Sequence, residues 1–432
     1  MRYHFPFGPG REHRIKQGRP RTNCEGRWWE PTLQRHFAAR LLIAVVLGSH
    51  VSESVAQERT ITEIKAETQA RAERGAYPLI GLDPGDVREA LASIKTRDAD
   101  EWAAAWSAVA DRYYKAASAM STPEERRTNY LRAWRLYYFA QWPVASSQGK
   151  KAAYIKALEA YVRSSDSLTP SLEVVRIPFE GKEIVGYLRL PRATTGGPVP
   201  VVIAVSGLDS RKENLAESYS ALVEYGIGFF AIDGPGTGQS PVKVSPTADR
   251  VLSRVIDYLV TRREIDPKRI ALHGVSFGGY WAAKLATVER TRLRGVVVQS
   301  PPVHGFFQAD FVKTSLLGNR EYLFDIVPSF LGLVENVESV DDLLREFPKL
   351  SLDTLGLLGK PTTSMLVIGG VKDTQVPISD IDLLLNNGDV PKDAWINPSG
   401  GHLGRERTGW TDPVIFRKVI IPWEIRTLMD NN

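Results

Sequence analysis

A serine flanked by glycines is the first feature of the sequence that could do covalent chemistry. Residues 274–278 read Gly-Val-Ser-Phe-Gly, between the apolar stretch 269–273 and an alanine-rich stretch at 277–288. After a predicted strand and before a predicted helix, this spacing is typical of a nucleophile elbow, a sharp turn that projects a serine hydroxyl above a sheet. Ser276 is therefore the predicted nucleophile. A serine that only caps a helix in a glycine-rich turn is the alternative.

The histidines of the chain decide which residue could activate this serine, because its hydroxyl needs a base within hydrogen-bonding reach. Three histidines follow residue 56. His273 precedes the serine on a buried strand, and we expect it to be packed or hydrogen-bonded in the core. His304 follows the strand that ends at residue 299 and is predicted to contact the substrate. His402 lies in a glycine turn after the last strand, where the general base is expected.

Asp373 is the predicted acid of the site. It comes directly after an apolar stretch, in the run Gly-Gly-Val-Lys-Asp at 369–373. A carboxylate there would orient the imidazole of His402 and stabilise its charged form. Asp380 and Asp382 compete for this role, but they fall in the next predicted helix, where we expect a helix cap and a solvated side chain.

Two backbone N–H groups must stabilise the charge that develops on an attacked carbonyl oxygen. One is predicted to be that of Phe277, the residue after the nucleophile. The other is expected from the loop after the strand 200–205, and Leu208 is our choice. Ser210 and Glu213 in that loop have the spacing of a capping box, which predicts a structural role for both side chains.

Alternating strands and helices would position these residues. From residue 169 onward the patterns predict a hairpin (173–179 and 183–190), then further strands at 200–205, 228–232, 269–273, 293–299, 364–368 and 394–396. Helices are predicted between them at 215–225, 251–263, 277–288 and 381–386, with another at the C-terminus. This alternation predicts a mainly parallel sheet covered by helices on both faces. Sites in such sheets form at the carboxyl ends of the strands.

Residues 57–168 are predicted to be a separate helical domain, followed by a catalytic domain at 169–432. Aromatic residues recur at helical spacing, as in the pairs Trp102 and Trp106, and Tyr130 and Trp134. The stripe indicates either core packing between helices or a lid whose aromatic side chains face an apolar substrate.

Residues 1–56 are predicted to be a leader with a signal peptide. An apolar run at 41–47 precedes the small residues Ser-Val-Ala at 54–56. The alternative is an amphipathic helix at 36–48. The leader holds nine Lys and Arg against four Asp and Glu, which accounts for the whole formal net charge of +5. The remainder is neutral, so no nucleic-acid partner is predicted. A periplasmic or secreted location is expected, with no membrane span after signal cleavage.

The single cysteine, Cys24, lies inside this leader. A mature chain that begins after residue 56 would have no thiol, which excludes cysteine catalysis, thiolate metal sites and disulfides. The three remaining histidines show no H-x-x-x-H pair, so the sequence suggests no metal and no other cofactor.

Two loops carry a resemblance to a known family. They read Gly-Leu-Asp-Ser-Arg-Lys-Glu at 207–213 and Asp-Gly-Pro-Gly-Thr-Gly-Gln-Ser at 233–240, behind an N-terminal helical region. The chain resembles the α/β-hydrolase group of fermentation-respiration-switch-type esterases, 2,6-dihydroxypseudooxynicotine hydrolase and fungal polyketide-shortening hydrolases. The resemblance implies the α/β-hydrolase fold, a triad of Ser276, Asp373 and His402, and a helical domain that closes over the site. The chain departs from this group in its leader, and in Ser206 where many hydrolases carry histidine.

These observations predict a serine hydrolase that cleaves a carboxylic ester of a small molecule through an acyl-enzyme. One alternative is cleavage of a carbon–carbon bond in a β-diketone-like compound, which the resemblance also implies. Others are a short-peptide peptidase and a non-catalytic binding module. The sequence leaves open whether residues 303–360 form a second lid, and whether the chain is a monomer or a homodimer.

Overall fold

Helices fill the first part of the chain in the computed structural model, which describes residues 59–192, 197–319 and 321–430. The leader, with its signal peptide or amphipathic helix, lies outside these residues. Five helices precede the sheet: α1 (Ile61–Glu73), α2 (Pro84–Ser93), α3 (Ala99–Ala119), α4 (Pro123–Gln141) and α5 (Gln148–Ser164). Thr122 caps α4, and Glu125 completes the capping box, because the run Ser-Thr-Pro-Glu-Glu satisfies the free N–H groups of the first turn.

The aromatic stripe of these helices forms a packed core. Trp102 and Trp106 are almost fully buried, and the ring centroids of Trp106 and Phe139 lie 4.6 Å apart in an edge-to-face arrangement. Burying such rings stabilises the helical region by about 2 kcal/mol each. Core packing is therefore the correct interpretation for α3. Trp134 and Tyr138 of α4 are also buried, but they line a cavity that is described below.

A sheet of eight strands follows, in the order β1-β2-β4-β3-β5-β6-β7-β8. The first three strands of this order pair antiparallel, and the remaining pairs are parallel, which confirms the mainly parallel sheet. The main difference from the predicted strands is β5, which begins four residues earlier than expected. The strands are β1 (Glu173–Phe179), β2 (Lys182–Arg189), β3 (Val199–Val205), β4 (Gly228–Ile232), β5 (Ile265–Val275), β6 (Gly295–Gln299), β7 (Met365–Gly370) and β8 (Asp393–Asn397).

Helices cover both faces of this sheet, because the strands are apolar on both sides. They are α6 (Lys212–Tyr219), α7 (Arg250–Leu259), α8 (Phe277–Val288), α9 (Ala309–Phe311), α10 (Val327–Leu333), α11 (Val340–Glu346), α12 (Ile378–Asn386), α13 (Asp412–Ile415) and α14 (Ile421–Met429). The helical region and the sheet belong to one compact unit that contains every described residue, and the division at residue 168 stays a prediction. Within the described residues, no helix combines the length and apolarity needed to cross a membrane.

The predicted capping box before α6 is wrong. Arg211 precedes the helix, and its N–H donates to Asn214 Oδ1 at 3.0 Å. Glu213 is instead buried beside Lys212, whose Nζ lies 2.9 Å from Glu213 Oε1 and 3.0 Å from Asp233 Oδ2. Burial of two carboxylates around one ammonium fixes α6 against the loop at 233–240, and this tertiary pairing overrides the local capping pattern.

The prediction of a helix cap at Asp380 is also wrong, because Pro377 is the N-cap residue of α12 and Asp380 lies inside its first turn, with its side chain fully buried. Its carboxylate accepts the backbone N–H groups of residues 303–306, at distances from 2.6 to 3.2 Å. Burial raises the pKa of this carboxyl, although the four hydrogen bonds oppose the shift. Asp380 thus anchors the chain where it leaves β6.

A buried polar chain connects β5 with α6 and α14. Tyr219 Oη lies 2.5 Å from His273 Nδ1 and donates to Glu424 Oε1 at 2.7 Å. His273 is a buried core histidine, as the sequence predicts. Burial lowers its pKa to about 4 and raises the pKa of Glu424 to about 8, so both side chains are uncharged near neutral pH.

Glu424 generates a prediction about the pH dependence of stability. In the folded chain its carboxyl keeps its proton up to about pH 8, whereas the unfolded chain releases it above about pH 4.3. This contribution to stability is therefore complete below about pH 4.3 and is lost as the pH rises towards about 8. Glu424→Gln should gain stability relative to the native chain over this interval, by at most about 1.4 kcal/mol per pH unit.

Urea denaturation between about pH 5 and pH 9 measures this effect. The exposed Glu338 supplies the matched control Glu338→Gln, which should follow the native curve. If the free energy of unfolding changed with pH in the same way in the native chain and in Glu424→Gln, the result would contradict the account.

Candidate active site

Ser276 lies at the turn between β5 and α8, in a conformation that few residues adopt. Its φ and ψ are 54° and −120°, which costs about 1–3 kcal/mol for a residue with a side chain. The turn is held from both sides: Ser276 N–H donates to Gln299 O at 2.8 Å, and Gly279 N–H donates to Ser276 O at 2.7 Å. The predicted elbow is therefore present, with its hydroxyl at the carboxyl ends of the strands.

Two glycines make this turn sterically feasible. A Cβ on Gly274 would lie 2.0 Å from Gly278 O, and a Cβ on Gly278 would lie 2.4 Å from Val205 O. Backbone atoms cannot move aside as a flexible side chain can, so any larger residue at either position would force strand and helix apart.

His402 and Asp373 meet Ser276 in one hydrogen-bonded chain. His402 Nε2 lies 2.9 Å from Ser276 Oγ, and His402 Nδ1 lies 2.9 Å from Asp373 Oδ2. The side chains of His402 and Asp373 are only 5% and 1% exposed, so little water competes for these bonds. The structure thus brings the three predicted residues together, in the geometry by which an imidazole could take a proton from the serine.

The surroundings of Asp373 keep its carboxylate ionised. Its Oδ1 accepts the N–H groups of Gln375 and Val376 at 2.9 and 3.0 Å. Burial raises the pKa of Asp373, but His402 and these two N–H groups outweigh burial and hold the pKa below its usual value. Asp373 can therefore orient the imidazole of His402 and stabilise its protonated form.

The loop that carries His402 is fixed by two side chains that the sequence analysis missed. Ser300 Oγ accepts the N–H of Leu403 at 2.9 Å, and Gln299 Nε2 donates to Leu403 O at 3.0 Å. Leu403 has a left-handed φ of 64°, which these two bonds hold in place. Both side chains lie at the carboxyl end of β6, and that position was the one signal that could have identified them.

The predicted oxyanion donors lie at the elbow. Phe277 is the first residue of α8, so its N–H has no acceptor within the helix. The loop with Leu208 approaches from β3, since a Cβ on the preceding Gly207 would lie 3.3 Å from Ser276 Cβ. Ser210 Oγ accepts the N–H of Gly207 at 2.9 Å and shapes this loop. The oxyanion role of Phe277 and Leu208 stays a prediction.

A small cavity of about 50 Å³ lies over Ser276, and we call it the serine cavity. Its walls come from three parts of the chain. The helical region contributes Arg71, Tyr77 and Trp142, and the segment 303–360 contributes Glu321 and Tyr322. The loops that follow the strands supply most of the rest of the wall, Gly207 among them. The helical region therefore borders the site, and so does the segment whose role as a second lid the sequence left open.

His304 lies away from this chain of hydrogen bonds. Its Nδ1 is 2.7 Å from Ser351 Oγ, and it is absent from the described walls of the serine cavity. Its predicted contact with substrate stays a prediction. Over the described part of the chain, no group of three or more His, Cys, Asp or Glu side chains could hold a metal ion.

Comparison with known proteins identifies relatives of this fold and sequence. The family model described as "Esterase FrsA-like" matches residues 88–392. "Alpha/beta hydrolase xenA" of Xenoacremonium sinensis is 30% identical over 230 residues, 49% of this chain and 54% of that protein. "Esterase FrsA" of Klebsiella pneumoniae subsp. pneumoniae is 28% identical over 279 residues, 63% of this chain and 65% of that protein. The chain thus spans about half to two thirds of these relatives' lengths.

A solved structure supports the architecture. That of 2,6-dihydroxy-pseudo-oxynicotine hydrolase superposes with a TM-score of 0.67 at 20% identity, over 83% of this chain and 95% of that one. At this identity the likeness shows the fold alone. Together with the sheet order, it confirms the α/β-hydrolase fold with an N-terminal helical region.

The geometry predicts how strongly the reactivity of Ser276 depends on Asp373. Asp373→Asn keeps the shape of the side chain but removes the charge that stabilises protonated His402. Reaction of Ser276 with a fluorophosphonate probe should slow by about 10⁴-fold. Labelling rates measured by intact mass check this, and Asp382→Asn on the exposed face of α12 is the matched control. Equal rates for the two variants would contradict the arrangement.

Proposed function

Because the chain belongs to the FrsA-like esterase family, we propose that it hydrolyses carboxylic esters through an acyl-enzyme on Ser276. The observation that carries this proposal is the pair of 2.9 Å contacts that join Ser276 Oγ, His402 and Asp373. A strained serine with a buried base and an ionised carboxylate behind it has the composition of a nucleophilic hydrolase site.

Acylation begins with attack of Ser276 Oγ on the ester carbonyl carbon. His402 Nε2 accepts the hydroxyl proton as the bond forms, and Asp373 stabilises the resulting imidazolium. The carbonyl oxygen becomes negatively charged and is held by the N–H groups of Phe277 and Leu208. When the intermediate collapses, the C–O bond to the alcohol breaks, and His402 returns the proton to the leaving alkoxide.

Deacylation repeats these steps with water. His402 removes a proton from a water molecule, which attacks the acyl carbon and releases the carboxylic acid. The same proton returns to Ser276 Oγ, so the enzyme is regenerated with no net proton change at His402. Asp373 remains ionised throughout, in accordance with its lowered pKa.

A small-molecule substrate fits the surroundings of Ser276. His402 and Asp373 are almost fully buried, and walls from the helical region and from the segment 303–360 enclose the serine. A folded protein could not present a bond at such a position. Export to the periplasm or medium remains part of the proposal, and the pattern at 41–56 supports it.

Substitution of the nucleophile tests the proposal. Ser276→Ala removes the attacking oxygen, and kcat on p-nitrophenyl acetate should fall by about 10⁶-fold. Ser253→Ala on α7, outside the described walls of the serine cavity, is the matched control and should keep native kcat. A Ser276→Ala variant with near-native kcat would refute the assignment.

A substrate panel separates ester hydrolysis from the other reactions that such a site could perform. Esters of different size, a β-diketone and short peptide anilides are given to the same preparation. Ester hydrolysis predicts turnover of esters well above that of the other two classes. Cleavage of the β-diketone or the anilides with no ester turnover would contradict it, even if Ser276 reacts with fluorophosphonate.

A further inference from the structure

A second and much larger cavity lies beside the site, and we call it the side cavity. Its volume is about 490 Å³, within the range of sites that bind drug-sized molecules. Its walls are mostly apolar and come from α4, α6 and the C-terminal helices, with Trp134, Leu215, Tyr219, Phe416 and Ile421 among them. Ile80, which is 38% exposed, also lines it, so the side cavity reaches the protein surface.

The side cavity adjoins the serine cavity. Five residues line both: Tyr77, Ser210, Val275, Leu403 and Arg405. Val275 directly precedes the nucleophile, and Leu403 directly follows the predicted base. The wall shared by the two cavities is therefore formed partly by side chains next to the nucleophile and next to the base.

The two volumes restrict how a substrate can be placed. The serine cavity, at about 50 Å³, has about a tenth of the volume of the side cavity. The side cavity is therefore the adjoining space that has both the volume and the apolar walls for a ring system or a long chain of the substrate. Transfer of such a group from water into the side cavity is favourable, because it removes apolar surface from water.

Two residues in the wall of the side cavity carry a buried polar atom without a hydrogen-bond partner in the described part of the chain: Asp412 Oδ1 and His273 Nε2. Asp412 is paired through its other oxygen with Arg405 at 3.1 Å, whereas His273 is uncharged and only 2% exposed. The side chain of Gln299 lies near enough to the ring to raise the pKa of His273 and partly offset burial, but its Nε2 donates to Leu403 O, and no contact with His273 Nε2 has hydrogen-bond geometry. Leaving a buried ring nitrogen unpaired is unfavourable, and a suitable ligand group would recover that free energy.

The rest of the polar chain orients this ring. His273 Nδ1 is held by Tyr219 Oη, which is in turn held by Glu424 Oε1 at 2.7 Å. Because Tyr219 Oη donates its one proton to Glu424, Nδ1 of the neutral ring donates to Tyr219 Oη, and Nε2 is left as an acceptor. A hydroxyl of the ligand can donate to Nε2, whereas an ether or a ketone cannot.

We propose that the side cavity binds a large apolar group of the ester, one that carries a hydroxyl hydrogen-bonded to His273 Nε2. This inference rests on the proposed ester hydrolysis for its reaction, but the binding itself does not require turnover. Esters with a large apolar group that bears a hydroxyl are thus the substrate class, and short acyl or peptide substrates leave the side cavity empty.

Binding of two matched ligands tests the proposal directly. 2-Naphthol and 2-methylnaphthalene have nearly the same size, but only the first carries a hydroxyl. Equilibrium dialysis against the full chain should show binding of both, with 2-naphthol tighter by about tenfold, the value of one net hydrogen bond. In His273→Leu this ratio should fall to about one, because the ring nitrogen is gone.

Variants that fill the side cavity give a second, independent measurement. Leu215→Trp in the wall and Ala221→Trp near the surface should each weaken 2-naphthol binding by at least about tenfold, through loss of volume. Ile155→Trp, at a side chain that is 66% exposed and outside the described walls, is the control and should bind as the native chain does. Melting curves identify any variant that fails to fold, and Ala221 is exposed enough to tolerate replacement.

The outcomes separate this inference from the proposed function. Native binding in both filled variants, or equal affinity for the two ligands in the native chain, would overturn the side-cavity proposal even if ester hydrolysis holds. Binding as predicted, in a chain whose Ser276 does not react with fluorophosphonate, would support the cavity and refute the hydrolase mechanism.

Discussion

The backbone at Ser276 is the constraint on which the rest of the structure depends. A residue with φ of 54° and ψ of −120° is held there only because its neighbours leave no alternative. Gly274 and Gly278 let β5 and α8 approach until a single added carbon would meet a carbonyl oxygen at 2.0 or 2.4 Å. This approach places the serine hydroxyl at the carboxyl ends of the parallel strands, where loops from β7 and β8 can reach it.

Those loops supply the other two reacting groups, because they hold the imidazole of His402 between Ser276 Oγ and Asp373 Oδ2. Ser300 and Gln299 bind both polar backbone groups of Leu403, so the position of His402 is set from the neighbouring strand. Asp373 is ionised because its charge is shared with two N–H groups and the imidazole. Little reorganisation is then needed when a proton leaves the serine, which is the advantage of a preorganised site.

The features that could be predicted from the sequence are those that short segments determine. The elbow at 274–278, the alternation of strands and helices, and the order of Ser276, Asp373 and His402 follow from local patterns. The predictions for Glu213 and Asp380 are wrong because the partners of these side chains reach them only in the folded chain. Glu213 shares Lys212 with Asp233. Asp380 accepts the N–H groups of residues 303–306. The same reason explains why the roles of Gln299 and Ser300 and the presence of the side cavity were not predicted. They depend on contacts between distant segments, which no spacing along the chain indicates.

The structure of the chain after reaction with a fluorophosphonate tests the central claim most directly, because the adduct resembles the intermediate of ester attack. The account predicts phosphorus bonded to Ser276 Oγ, one phosphoryl oxygen within about 3 Å of the nitrogens of Phe277 and Leu208, and His402 still bonded to Asp373. Phosphorus on another residue, or an imidazole of His402 turned away from the adduct, would contradict it.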